Sequence, residues 1–373
     1  MKRKKILFFH YDLQGGGAER VLVNLLRYLN RDKYDIALKT IFAAGPYVEA
    51  VPEDIKFSYV FKREFRGFNK IMKLFPANFL HRIFVRGHYD IEVAYLENAP
   101  TRIIAACPHA DTKKVAWVHT EVLDRRAPMA GFRNEHEMVE AYNKLNHVGF
   151  VSKRAKDCFQ KTFQGVKGQE MHVIHNVNDF EQIYELANEA APIEINSKEL
   201  NLCFVGRLIH VKGLHRLVDA FSRLKDDGLS TGVNVYVLGT GDQEASLKES
   251  IVAKGLSDNI HMLGFDQNPY KYLSKMDLFV CTSYREGYST ATTEAVALGV
   301  PVFTTDCSGM DEILEGGKFG MIVPNDDDAI YEGLKDLLTH REKIGQYAAA
   351  IKAAPRMTTQ RLVDKYEEFF DSL

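Results

Sequence analysis

The chain repeats one alternation: a short apolar run, a glycine or polar loop, then a stretch with apolar residues at helical spacing. In the first half Lys5–His10 is such a run, and Ala18–Leu29 follows with Val21, Leu22, Leu25, Leu26 and Leu29 on one helical face. Tyr34–Phe42, Ile91–Tyr95, Val115–His119 and His147–Val151 read as further strands. The second half starts afresh with strands at Leu202–Val205, Val233–Leu238, Ile260–Gly264 and Leu278–Thr282. Helical segments at Leu214–Leu224, Gln243–Lys254 and Tyr270–Met276 separate them. Strands that alternate with helices pair in parallel through βαβ units, whose ligands sit at the carboxyl ends of the strands. The expected fold is therefore α/β, two doubly wound Rossmann-like domains facing a central cleft. The polar, acidic stretch from Asn178 to Glu199 places the boundary between domains at 1–177 and 178–356, and Thr358–Phe370 reads as a terminal amphipathic helix.

At 373 residues the chain is long for one domain and comfortable for two. No apolar run approaches the roughly 18–20 residues of a membrane span. Lys2-Arg3-Lys4-Lys5 before Ile6–Phe9 suggests a leader, but the apolar run is too short, and a first strand is the better reading. Five scattered cysteines with no C-x-x-C pair argue for a reducing cytoplasm, against a disulfide framework and against a cysteine zinc site. The net charge of −2 hides an asymmetry. Residues 1–177 carry 29 Lys and Arg against 19 Asp and Glu, a balance of +10, so the remainder carries −12. Such a division speaks of partners rather than of fold.

The chemistry concentrates at predicted strand ends. Glu286-Gly287-Tyr288-Ser289-Thr290 leads into a helical stretch that carries Glu294. Gly287 permits a tight turn, Ser289 and Thr290 are good helix caps, and the first free amides of the helix favour a phosphate. The two carboxylates flank that point and accept hydrogen bonds from vicinal diols, Glu286 from sugar and Glu294 from ribose hydroxyls. Arg207 and Lys212 straddle another strand-to-helix loop between Gly206 and Gly213, a spacing at which two cations converge on a diphosphate. Gly15, Gly16 and Gly17 follow the first strand but do not form G-x-G-x-x-G, since Arg20 stands in place of the third glycine. A flexible turn is the alternative there. His119 ends a central strand, with a nominal pKa that permits acid–base work. No D-x-D pair offers a metal site, and Asp326–Asp328 reads as a solvated helix cap.

Four segments in order, Gly15–Arg20, Trp117-Val118-His119, Phe204–Leu208 with Lys212-Gly213, and the E-x7-E of Glu286 and Glu294, resemble glycosyltransferase family 4, the retaining GT-B enzymes of bacterial polysaccharide and lipid-linked glycan synthesis. The resemblance spans nearly the whole chain. It implies an N-terminal acceptor domain, onto which helix 357–373 crosses back, and a C-terminal nucleotide-sugar domain. It also implies a hexosyltransferase that moves sugar from a UDP-type donor to a glycan or lipid-linked glycan with neither cofactor nor metal. Gly15–Gly17, Arg207, Lys212, Glu286–Thr290 and Glu294 would hold the donor, and His119, Arg207, Lys212 and Glu286 would serve transfer. Tyr288 and Ser289 depart from the family, where phenylalanine and then glycine or proline are common, and Ser289 could add a hydroxyl to the donor contact. The rivals are a GT-B-like sugar-nucleotide epimerase and a non-catalytic subunit.

The run Lys56–His88 interleaves eight Lys and Arg with aromatic and aliphatic side chains such as Phe61, Phe65, Ile71, Leu74 and Phe79, against a single acid, Glu64. Its chemistry suits an anionic membrane surface, which would make the protein cytoplasmic and peripheral on the inner leaflet. The plainer alternative is an amphipathic helix pair over the core. Nucleic acid is not expected, because no binding fold accompanies the charges.

Overall fold

The computed structural model describes residues 2–14, 16–125 and 129–373. It forms two compact units, residues 1–178 with 359–373 and residues 179–358. The first contains β1 (Lys4–His10), β2 (Tyr34–Phe42), β3 (Lys56–Phe61), β4 (Ile91–Ala94), β5 (Lys113–Val118), β6 (His147–Phe150) and β7 (Glu170–Val173). They make a parallel sheet in the order β3-β2-β1-β4-β5-β6-β7. The second contains β8 (Leu200–Val205), β9 (Val233–Leu238), β10 (Ile260–Gly264), β11 (Leu278–Cys281), β12 (Val302–Thr305) and β13 (Gly320–Val323), in the order β10-β9-β8-β11-β12-β13. Each order reverses direction once, between β1 and β4 and between β8 and β11, which is the doubly wound pattern with its switch point.

Helices on both faces explain the apolar strands: Ile6–Phe9 of β1 and all four residues of β11 are buried. In the first unit the helix Gly17–Tyr28 buries Val21, Leu22, Leu25 and Leu26, the face read from the spacing. The last helix, Thr359–Ser372, belongs to this unit and buries Val363, Tyr366, Phe369 and Phe370. Tyr366 stacks on Trp117 at 5.0 Å, and Lys33 pairs with Glu367 and Asp371 on its outer side.

The basic run is an edge strand and two short helices, which bury Phe68, Met72, Leu80 and Phe84 in the core as the helix-pair alternative expects. Lys56–Phe61 is the edge strand β3, followed by helices of only five (Phe68–Met72) and eight (Ala77–Phe84) residues. Gly67, at φ +86°, starts the first, and Pro76 separates it from the second.

Candidate functional site at the switch point of the second sheet

The site is built by loops that leave β8, β9 and β11 on one edge of the second sheet. After β8 the chain makes a single 3-10 turn, His210–Lys212, and enters the helix Leu214–Asp226 through Gly213 at φ +65°. A Cβ on Gly213 would stand 2.1 Å from the Thr282 carbonyl oxygen, so only glycine lets the β8 loop lie against the β11 loop. The Thr282 hydroxyl donates to the Gly213 carbonyl at 2.9 Å, and the Tyr284 amide donates to the Val211 carbonyl at 2.9 Å. The β9 loop joins on the other side. Gly239, at φ +140°, passes so close to the Gly206 carbonyl that a Cβ would lie 1.8 Å from its oxygen, and the Leu208 amide donates to Thr240 at 2.9 Å.

This lacing brings Lys212 and Glu286 together across the switch point. The lysine Nζ donates to Oε1 and Oε2 of Glu286 at 2.7 and 2.9 Å, and the Ser283 hydroxyl donates to Oε1 at 2.6 Å. The side chains are 25% and 9% exposed, so the pair opens to solvent only on one side. Burial works to lower the Lys212 pKa, but the neighbouring Glu286 carboxylate outweighs it and holds the ammonium above the usual lysine value. Two of its three N–H groups are occupied, and one remains for an incoming anion. Arg207 is exposed, close enough to act electrostatically on Lys212, and makes no ion pair among the described residues.

The carbonyls of the β11 loop are fixed from behind. Ser283 O accepts from Thr305 Oγ1 at 2.7 Å and from Asn325 Nδ2 at 3.3 Å. The buried Arg216 donates to Thr282 O, Asn325 Oδ1 and Asp327 Oδ1 at 3.2, 2.7 and 2.6 Å, with its guanidinium 4.3 Å from the Tyr284 ring centre. Sequence reasoning missed Ser283, Arg216 and Asn325. For Ser283 the signal was present, three positions before Glu286 on the same loop. For Arg216 it was not, because an isolated arginine on a helix reads as solvated.

After Glu286 and Gly287 the helix Thr290–Ala297 begins. Ser289 is its N-cap and accepts from the Thr292 amide at 3.2 Å, while the Thr292 hydroxyl donates to the same oxygen at 3.0 Å. Ser289, whose hydroxyl was expected at the donor, is a buried residue with that hydroxyl engaged in capping. Thr290 is the first helical residue, and Glu294 is buried one turn inside. Tyr288 is half-buried against Gly309, and burial, with Glu312 nearby, pushes its phenol well above the usual range. Asp326 accepts from the Ala329 amide at 2.8 Å as the cap of the helix Asp327–Thr339.

In the first unit the remaining predicted residues gather at the carboxyl ends of β1, β4 and β5. Gly15 lies outside the described residues. Gly16 caps the helix that Gly17 opens, and the Glu19 carboxylate folds back so closely that a Cβ on Gly16 would meet Oε2 at 2.3 Å. The buried Glu97 carboxylate accepts from the His119 amide at 2.7 Å and from the Thr120 amide and hydroxyl at 3.1 and 3.2 Å, tying the β4 loop to the β5 loop. The His119 ring lies against Tyr95, 4.7 Å between centres. Burial, with His10 beside it, pushes its pKa down to about 3, and burial holds His10 at about 4. Burial thus keeps both imidazoles neutral near pH 7. His119 can exchange hydrogen bonds with a ligand but is no proton donor of ordinary strength.

Two Rossmann-like parallel sheets in one chain, with a cation and a carboxylate meeting at the switch point of the second, are the architecture of the GT-B glycosyltransferases. Residues 187–356 match the family model for glycosyl transferases group 1, and residues 15–182 match that for glycosyltransferase family 4. These two matches, one in each half of the chain, mark it as a glycosyltransferase. A relative from Campylobacter jejuni, N-acetylgalactosamine-N,N'-diacetylbacillosaminyl-diphospho-undecaprenol 4-alpha-N-acetylgalactosaminyltransferase, is 29% identical over 344 residues, 90% of each chain. The lipopolysaccharide core biosynthesis glycosyltransferase LpsE of Rhizobium meliloti is 24% identical over 86% of this chain and 84% of its own. Among solved structures, HepE of Anabaena in complex with UDP aligns over 99% of this chain and 100% of its own, with a TM-score of 0.75 at 20% identity. WaaG, a glycosyltransferase involved in lipopolysaccharide biosynthesis, aligns over 96% and 98% with a TM-score of 0.68 at 16% identity.

Proposed function

We propose that the protein is a retaining glycosyltransferase that moves a sugar from a nucleoside diphosphate donor, UDP in the first instance, to a hydroxyl of a lipid-linked glycan, with no metal in the transfer step. The observation that carries this reading is the Lys212–Glu286 pair at the β8/β11 switch point, beside the exposed Arg207. One free ammonium proton and one guanidinium supply the positive charge that a departing diphosphate needs, the role a divalent cation fills elsewhere. Glu286 accepts from sugar hydroxyls, Glu294 serves the ribose, and the helix starting at Thr290 offers its amides to phosphate. In the step itself the bond between the anomeric carbon and the diphosphate oxygen breaks. The acceptor oxygen bonds to the same face of the sugar and gives its proton to the departing phosphate oxygen. The relative from Campylobacter, named for a diphospho-undecaprenol acceptor, and the UDP complex of HepE support the choice of substrates.

The basic run supports a lipid-borne acceptor. Tyr59, Phe65, Ile71, Leu74, Phe75, Phe79 and Ile83 are exposed, Leu74 by 77%, and so are the cations Lys62, Arg63, Arg66, Lys70, Arg82 and Arg86. The buried Arg102 fixes the turn behind them, donating to the Met72 and Phe75 carbonyls at 2.9 and 2.8 Å and to Glu137 at 2.8 Å. Exposed apolar side chains interspersed with exposed cations fit docking on an anionic cytoplasmic leaflet. No helix among the described residues is long and apolar enough to cross a membrane.

The test is a panel of nucleotide sugars with and without an undecaprenyl-diphosphate-linked sugar, read as donor hydrolysis and as transfer. Hydrolysis of one UDP-sugar that accelerates with the lipid-linked acceptor and survives EDTA is the expected result. An unchanged donor across the panel, an inverted product or a strict metal requirement overturns the reading.

A further inference from the structure

The far end of the first sheet holds a side-chain cluster that the transfer reaction does not use. In β7, Glu170 and His172 are two residues apart and so point to the same face. The parallel register sets His147, the first residue of β6, opposite Glu170. The three functional groups therefore converge at the amino end of β6, away from the strand ends that carry His119. His147 Nδ1 lies 3.2 Å from His172 Nε2, and Glu170 Oε2 lies 3.8 Å from each of those same nitrogens. Three atoms at these separations leave a point in their plane about 2.1 Å from every one of them, within the bond lengths of Zn²⁺ to imidazole and carboxylate. In a plain histidine–histidine hydrogen bond beside a surface acid, the carboxylate would close on one ring N–H. Here it stands equally far from the two nitrogens that are turned toward each other.

The surroundings suit a resident cation. Phe369 packs on both rings, 5.7 Å from His147 and 4.8 Å from His172 between centres, and fixes their orientation from the last helix. The imidazole side chains are 11% and 30% exposed while Glu170 is 75% exposed, so the cluster is walled on the protein side and open to solvent on the other. A second trio, His81, Glu92 and Cys107, differs in each respect. It is fully buried, and Glu92 spends one oxygen on His81 at 2.8 Å and the other on Cys107 at 3.4 Å, a closed hydrogen-bonded set.

We propose that His147, Glu170 and His172 form a structural binding site for a divalent transition-metal ion of the zinc class, with solvent as the fourth ligand. The ion clamps the edge strand β7 to β6 under the last helix and takes no part in sugar transfer. The full-length protein, stripped with EDTA, should take up one equivalent of Co²⁺ with the visible bands of a tetrahedral site. Zn²⁺ should displace it and raise the melting temperature. His172→Gln should weaken uptake by about 100-fold or more, since loss of groups that merely orient a ligand already costs 10–100-fold. Glu170→Gln, at an exposed position that leaves folding intact, should also weaken uptake and shift the Co²⁺ spectrum. No uptake by the wild-type protein, or uptake and spectrum unchanged in both variants, overturns the proposal.

Discussion

Replacing Lys212 with alanine separates the two roles this lysine is given, holding the fold and stabilising a leaving diphosphate. Glu286, 9% exposed in the intact pair, would keep the Ser283 hydroxyl and the weak Cys281 thiol as donors and lose its charged partner. Breaking a fully buried ion pair costs about 3–5 kcal/mol, and because Lys212 is 25% exposed, water recovers part of this, leaving about 2 kcal/mol. Arg207→Ala removes an exposed side chain without an ion pair among the described residues, so its effect on stability should stay within roughly 0.5 kcal/mol. Turnover should fall in both variants by about 100-fold or more, the usual loss for one preorganised charge contact in a transition state. Lys212→Met with Glu286→Met completes the set. It removes both charges together, so it should regain most of the lost stability and none of the activity. Urea unfolding and initial transfer rates, measured on all three proteins, provide the comparison. Folded Arg207→Ala with near-normal turnover would refute the charge clamp, and a double variant that recovers activity along with stability would show that Lys212 acts only through the fold.

Acidification gives an independent check. His10 and His119 have folded pKa values of about 4 and 3 against 6.5 when free, so between about pH 6.5 and 4 the unfolded chain binds more protons and stability falls as pH falls. Each histidine contributes up to about 1.4 kcal/mol per pH unit, and His119→Gln should flatten that slope in pH-dependent urea melts; an unchanged slope would contradict its burial. Glu294→Gln should weaken nucleotide binding by calorimetry with little loss in saturating turnover, and a bound donor whose ribose lies far from Glu294 would exclude that role. Co-sedimentation with anionic vesicles should weaken as salt rises, at about 1 kcal/mol per docked cation, and should vanish when Lys62, Arg63, Arg66, Lys70 and Lys73 become glutamate. Equal binding to neutral vesicles, or none to either, would leave the run an ordinary surface.

The parts of the fold legible in the sequence were those set by local pattern. β1, β2, β8, β9 and β11 are largely buried and rich in apolar residues, so their limits fell within a residue or two of those observed. Edge strands hid for the opposite reason. β3 has no fully buried residue and β7 is four residues long, Glu170 to Val173, with charge at its start, so neither shows an apolar run. The site divided likewise. Lys212 and Glu286 were visible because glycines flank both loops, but their direct pairing was not, since 74 residues separate them and only the lacing through Gly213 and Thr282 brings them together. The depressed pKa of His119 was equally invisible, because it depends on what covers the ring rather than on its neighbours in the chain.

The same lacing decides how the proposed donor site can change. With Gly213 and Gly239 pressed on the carbonyls of neighbouring loops, and Arg216 and Asn325 fastened behind the β11 loop, the backbone around the pair is tied to its neighbours on several sides. A different sugar cannot be admitted by swinging a loop aside, nor by grafting a longer one, without cutting those contacts. Room for a new substituent has to come from side chains that face outward from this frame, Arg207 among them. Redesign of donor preference in this protein is thus a problem of rotamers on a fixed scaffold, which a small library of point substitutions can explore.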